Sequence, residues 1–297
     1  PAIAPAAGWG YNWGNGPNWD GALFVVPYNV YLYTGDDTAL RRNYDAMELY
    51  LEFCRTMCDP GDDIIMYGLG DWCPPVGMKM VDTYFSTTST YCALVALFAR
   101  IAAILGHDDD AKRYEDVAQR IKDSFNRTYY SGGGVYADGG LTALGTPLYY
   151  GICPDGEEKA VVKKLVAASE KCGFKAQFGI LGAKHVPRAL AEHGHADLAL
   201  KFFTQEEYPG WAHCVRRNAT SLWETWEGAD SRNHIMFGDI SAWLFRDAAG
   251  FTHQPENPGW RRIGIRPENL AALDSVNATY RGYVSKWTRT RARSRST

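Results

Sequence analysis

Four short turns of similar make set the frame of this chain. They are Gly35-Asp36-Asp37, Gly106-His107-Asp108, Pro154-Asp155-Gly156-Glu157 and Gly194-His195-Ala196-Asp197. Each carries a glycine suited to a helix end and an acidic residue suited to the next helix start. The segments around them place apolar residues at three- and four-residue steps, as Leu40, Tyr44, Met47, Leu51 and Cys54 do. That spacing is the period of an amphipathic helix. In each pair the first helix is the more apolar and the second the more charged. An apolar helix wrapped by a charged one reads as an inner ring inside an outer ring, an all-α toroid of the (α/α)6 type.

The expected helices are 21–34, 38–57, 82–105, 111–128, 141–152, 157–171, 185–193, 197–206 and 237–249. Asp20 reads as the N-cap of the first. Pro27 should kink that helix or shorten its regular part. Pro187 suits a first-turn position. After Gly250 the pattern changes to period-two alternation, in Trp260 to Arg266 and Asp274 to Trp287, which reads as strands. The chain thus divides into 1–250, a partial α/α barrel; 251–287, a short β-sandwich segment; and 288–297, a basic low-complexity stretch that reads as a disordered tail.

Alternating helices put the short turns at one end and the long loops at the other. The long loops are 8–20, 59–81, 128–140, 173–182 and 209–234. They hold Trp9, Trp13, Trp19, Trp72, Trp211, Trp223 and Trp226 with Asp20, Asp71, Asp82 and Glu224. Seven of ten tryptophans at one rim is a segregation that core packing alone does not require. At its centre lies Thr220-Ser221-Leu222-Trp223-Glu224-Thr225-Trp226-Glu227-Gly228, with Ser231-Arg232-Asn233-His234 following. A carboxylate walled by indoles faces a low dielectric, which disfavours its charged form and suits it to work as a base near neutral pH. Indole faces also stack on the C–H faces of sugars. The bland alternative is two core tryptophans three apart, with Glu224 solvated beside them. Glu227 is the local rival, and Asp82 reads as an N-cap.

Composition narrows the partners. The formal net charge is −3, and no basic stripe marks the folded part, so nucleic acid is not expected. The seven cysteines are odd in number and form no C-x-x-C pair, which points to reduced thiols and a cytoplasmic location. The N-terminal residues do not read as a signal peptide. No run is expected to reach the length of a membrane span. The histidines show no H-E-x-x-H spacing, so no metal and no other cofactor is expected.

At this point the residues carry a resemblance. Gly8-Trp9-Gly10 through Trp19-Asp20, Gly70-Asp71-Trp72, Tyr208-Pro209-Gly210-Trp211, Thr220 to Trp226, and Ser231 to His234 with Phe237-Gly238 resemble the catalytic domain of the α-L-rhamnosidases of glycoside hydrolase family 78. The resemblance implies an (α/α)6 barrel followed by a β-sandwich. It implies inverting hydrolysis of terminal α-L-rhamnosyl groups, with a rhamnose-containing glycoside or oligosaccharide as partner. By position, Glu224 matches the general base and His234 a residue that binds sugar hydroxyls. Trp19 and Trp72 match walls of the rhamnose pocket. Asp71, Trp223 and Trp226 are further candidates for contact with substrate. The chain departs from that family in one respect. The motif that bears the general acid lies upstream of the Trp19 region, and about nine helices stand where the resembled barrel has twelve. The expectation is therefore a glycosidase-type chain with an incomplete barrel lacking leaving-group protonation, a step worth about 10²–10⁴-fold, which leaves the activity of this chain alone open. Two other readings stay open: another α/α-barrel glycosidase of the unsaturated glucuronyl hydrolase or trehalase type, and a non-catalytic carbohydrate-binding fragment. Aglycone, linkage and oligomeric state are not set by these residues.

Overall fold

A computed structural model describes residues 15–253, 255–268 and 270–289. Trp9, Trp13 and most of the basic stretch 288–297 lie outside the described residues. The helices are α1 (Pro17–Asp20), α2 (Ala22–Thr34), α3 (Thr38–Thr56), α4 (Thr83–Leu105), α5 (Asp108–Tyr129), α6 (Leu141–Tyr150), α7 (Glu158–Lys171), α8 (Ile180–Glu192), α9 (Ala196–Thr204), α10 (Trp211–Arg216) and α11 (Asp239–Trp243). A π-helical turn, Leu244–Ala248, continues α11.

Contacts between elements give the architecture. Helices α2, α4, α6, α8 and α11 touch in that order and form an inner arc. Helices α3, α7 and α9 pack outside it, each against its neighbours in the chain, and α5 packs outside it against α4. The division follows polarity. Outer helix α5 buries only a stripe, Ala111, Ala118, Ile121, Ser124 and Phe125. Inner helix α4 buries residues on every side, from Phe85 to Ala102. Turns between inner and outer helices use left-handed glycines, with φ of 78° at Gly35 and 82° at Gly106. A side chain there would press Cβ against the next carbonyl oxygen.

Several expectations are corrected. Helix α4 has 23 residues, with a mean hydropathy of 1.7 over its most apolar 18, and is long and apolar enough to cross a membrane by length and composition. It is the central core helix here, walled by α5, α6 and α3. Pro27 neither ends nor divides α2, which runs unbroken to Thr34; only the bond to the Leu23 carbonyl is lost. Asp20 does not cap α2. It is buried and accepts the Tyr50 hydroxyl at 3.2 Å. Helix α8 begins at Ile180, five residues before the expected start, so Pro187 lies in its interior. The last apolar helix is shorter than expected, because Phe237 belongs to the turn before α11.

After Gly250 come β1 (Phe251–His253), β2 (Ile263–Ile265), β3 (Ser275–Tyr280) and β4 (Tyr283–Thr288). They form two separate two-stranded antiparallel ladders, β1 with β2 and β3 with β4. This segment reaches back to the other end of the arc. Gly259 N donates to Leu32 O at 2.8 Å and Arg281 donates to Tyr33 O at 2.9 Å, both on α2. Tyr33, His253 and Trp260 pack ring against ring, with His253 4.2 Å from each of the other two. The strands therefore tie the last inner helix to the first.

Candidate active site

The inner helices start at the end where the long loops gather, and one aspartate organises that end. Asp71 is 2% exposed. Its Oδ1 accepts the amides of Leu181 at 2.8 Å and Gly182 at 3.2 Å. Its Oδ2 accepts Gly179 N at 2.9 Å and the Thr142 hydroxyl at 2.6 Å. The Trp72 carbonyl accepts Ile180 N at 2.8 Å. The first turn of α8 thus has its orphan amides satisfied from a loop more than a hundred residues away, the work usually done by an adjacent cap. A Cβ on Gly179 would lie 2.2 Å from the Trp72 carbonyl oxygen, so only glycine allows the approach. Burial pushes the Asp71 carboxyl above its ordinary value, and the four donors pull the other way. Asp71 is accordingly a positioning residue. Both of its oxygens are engaged by the fold.

The second part is a short paired loop. Glu224 N donates to Ser231 O at 2.9 Å, and His234 N donates to Leu222 O at 2.9 Å. Ser231 N returns a bond to Glu224 Oε2 at 3.2 Å. Gly228, with φ of 68°, turns the chain between the two halves. This pairing sets Glu224 and His234 on the two facing halves of one loop. Both are half-buried. The Nδ1 atom of His234 accepts Met236 N at 3.0 Å. The neutral ring then carries its proton on Nε2 and offers it as a donor.

The two acids of the motif differ in what they hold. Glu227 Oε1 accepts Val76 N at 2.9 Å and the Tyr208 hydroxyl, and Tyr208 also accepts Val76 N at 3.1 Å. Burial and the Glu227 carboxylate push the Tyr208 phenol up to about 12. Glu227 therefore joins loop 73–76 to loop 205–209. Glu224 Oε1 accepts no hydrogen bond among the described residues. Cys73 sits between these loops. Burial first, then the charges of Glu224, Asp230, Glu227 and Asp71, push its thiol up to about 11.

The tryptophans do gather at this end, but most are core. Trp226 is 1% exposed, stacked on Phe237 at 3.9 Å, edge-on to Trp211 at 4.9 Å, and bonded through Nε1 to Phe178 O at 3.0 Å. Trp223 is 5% exposed, with the guanidiniums of Arg232 and Arg217 over its ring at 5.1 and 5.9 Å. Both indoles, with Trp211 and Phe237, line a 610 Å³ cavity. Trp19 and Trp72 are half-buried. Trp19 lines a 740 Å³ cavity along the inner helices, with Ile180 and Leu181 of α8. The neighbouring Asn18 donates to Leu69 O at 2.6 Å, which ties the Trp19 segment to loop 69–73. The Tyr208–Glu227–Val76 contact and the capping role of Asp71 were not read from the sequence. The signal present was Tyr208-Pro209-Gly210, which names a segment but not its partners. Among the described residues, no group of three or more His, Cys, Asp or Glu is placed to hold a metal ion.

The family model described as the bacterial alpha-L-rhamnosidase six-hairpin glycosidase domain matches residues 1–248. The alpha-L-rhamnosidase of Alteromonas sp. (strain LOR) is 27% identical over 294 residues, covering 92% of this chain and 31% of that protein. The alpha-L-rhamnosidase of Streptomyces avermitilis is 29% identical over 294 residues, covering 94% of this chain and 27% of that protein. Among solved structures, the alpha-L-rhamnosidase from Dictyoglumus thermophilum superposes with a TM-score of 0.87 at 27% identity, over 95% of this chain and 33% of that one. The Streptomyces avermitilis enzyme complexed with L-rhamnose superposes with a TM-score of 0.84 at 25% identity, over 96% of this chain and 28% of that one. The chain thus spans about a third or less of the length of these relatives.

Proposed function

Because this chain belongs to the bacterial α-L-rhamnosidase six-hairpin glycosidase family, we propose that its loop-bearing end binds and hydrolyses terminal α-L-rhamnosides. One observation carries the proposal. Of the two acids in the motif, Glu227 is occupied by Tyr208 and Val76, while Glu224 is held at one oxygen and leaves the other available. Glu224 activates water as the general base. The carboxylate takes the proton of a water, the water oxygen bonds the anomeric carbon from the face opposite the leaving group, and an aryl aglycone departs as its phenolate, inverting the centre. His234 donates Nε2–H to a sugar hydroxyl, and Trp19 and Trp72 offer half-buried rings to the sugar. The solved relative complexed with L-rhamnose supports the choice of sugar. No cofactor enters this chemistry. The seven unbridged cysteines support a reducing, cytoplasmic compartment.

The test is release of nitrophenol from 4-nitrophenyl α-L-rhamnopyranoside, with the α-glucoside as control and L-rhamnose binding measured by calorimetry. Turnover or binding of the rhamnoside alone supports the proposal. Equal response to both sugars, or to neither, counts against it.

A further inference from the structure

The loop that carries Glu224 and His234 is folded over one indole. Trp223 is buried and stands directly before Glu224. The turn passes so close to its ring that a Cβ on Gly228 would lie 2.5 Å from Trp223 Cε3 and 2.7 Å from Cζ3. Gly228 also has a φ of 68°, so glycine alone fits there. Arg232, on the returning half of the loop, closes the arrangement. Its guanidinium carbon lies 5.1 Å from the Trp223 ring centre. Its Nε donates to Gly228 O at 3.0 Å. The Ser221 hydroxyl in turn donates to the Arg232 carbonyl. One side chain therefore grips the ring that precedes Glu224 and the carbonyl at the turn that follows it. Arg217, just after α10, adds a longer contact, 5.9 Å from the same ring centre with Nη1 3.4 Å from Glu227 O.

The backbone alone gives this loop little rigidity. Its halves are joined by Glu224 N to Ser231 O and His234 N to Leu222 O, and a short two-stranded ribbon is marginally stable without side-chain support. Contacts across the two strands supply that support. An arginine suits the task. Its planar guanidinium lies over an indole face, and its fixed N–H donors aim at a carbonyl at the same time, which the point charge of a lysine does not reproduce. The consequence reaches the two groups that face the sugar. The free Oε1 of Glu224 and the Nε2–H of His234 point where the loop points them, and a small misplacement of reacting groups is costly in rate.

We infer that Arg232 is a positioning residue for the Glu224–His234 loop, acting through Trp223 and Gly228, an inference that rests on the rhamnoside reading for its reaction. The test uses the full chain with Arg232→Lys, which keeps the charge and loses the Nε–H, and Gly228→Ala, which forces the turn off the ring. Two readouts are taken: kcat and KM on 2,4-dinitrophenyl α-L-rhamnopyranoside, and site-resolved amide hydrogen exchange. Arg232 is exposed, so its replacement leaves the core intact. Each variant is expected to lose about 10- to 100-fold in kcat with KM near the wild-type value. Exchange at Glu224 N and His234 N should quicken about tenfold, while Leu181 N on α8 keeps its wild-type rate. Wild-type kcat in Arg232→Lys overturns the inference. So does a rise in KM at unchanged kcat, which would make Arg232 a sugar contact, and so does faster exchange at Leu181 as well, which would make it a general stabiliser. If the wild-type chain itself releases no dinitrophenol, the rhamnoside reading falls and exchange alone decides: quickening confined to the loop upholds the positioning role, and unchanged rates overturn it.

Discussion

The carboxylate of Asp71 accepts the amide of Leu181 at 2.8 Å across 110 residues of chain. It caps the inner helix α8 and, with the Trp72 carbonyl, fixes the loop that carries Trp72 and Cys73. Replacing Asp71 by alanine leaves three buried backbone amides and the Thr142 hydroxyl without an acceptor. Each buried orphan costs about 1–3 kcal/mol. Relaxation recovers part of the sum, so Asp71→Ala is expected to lower stability by about 3–5 kcal/mol. The urea midpoint at unchanged slope measures it. A loss under about 1 kcal/mol would show that the cap is not what holds α8.

The Tyr208–Glu227 contact predicts a coupling. Tyr208→Phe and Glu227→Gln each loosen the tie between loops 73–76 and 205–209. Hydrogen bonds to charged groups contribute about 1.5–3 kcal/mol. A double-mutant cycle on unfolding should return an interaction energy of about 1–2 kcal/mol. Additive effects would mean that the two side chains stabilise their loops independently. Both variants should also weaken rhamnoside binding, because Val76 lies three residues from Cys73 on the same loop.

Asp247 predicts a pH dependence. It is buried in the π-helical turn and its Oδ2 has no partner among the described residues. Burial pushes its carboxyl up to about 7, against the lowering effect of Arg246 and Arg188. Between the ordinary value of 3.8 and about 7 the folded chain keeps a proton that the unfolded chain releases. Stability from this group is therefore full at low pH and falls as pH rises through that window. Asp247→Asn stays neutral at every pH. It should be more stable than the wild type above pH 7, and the difference should close towards pH 4. His185 acts with the opposite sign, since its depressed pKa removes a proton that the unfolded chain holds below about 6.5. The difference between melting curves of variant and wild type thus carries the test. A difference independent of pH would contradict the assignment.

Much of the fold was legible because helix hairpins announce themselves locally. The period of α3, the left-handed glycines at 35 and 106, and the Asp82 cap at 2.8 and 3.0 Å from Tyr84 N and Phe85 N are all short-range signals. The early start of α8 was not legible, because its cap comes from Asp71 and no local residue marks it. The crowding of tryptophans at one end was visible, but their burial was not. Whether an indole faces a cleft or a core depends on partners such as Phe237 and Arg232, which meet Trp226 and Trp223 through loop geometry. Glu224 and Glu227 look alike in sequence. They separate only once Tyr208 and Val76 are seen to hold one of them.

The central claim is that Glu224 is the water-activating base. A rhamnoside with a 2,4-dinitrophenyl leaving group isolates that role, because the departing phenolate needs no proton from an acid. The account predicts that the wild-type chain hydrolyses it and that Glu224→Gln lowers kcat by about 10²–10⁴-fold, while Glu227→Gln retains far more activity. Hydrolysis by Glu224→Gln at the wild-type rate would contradict it.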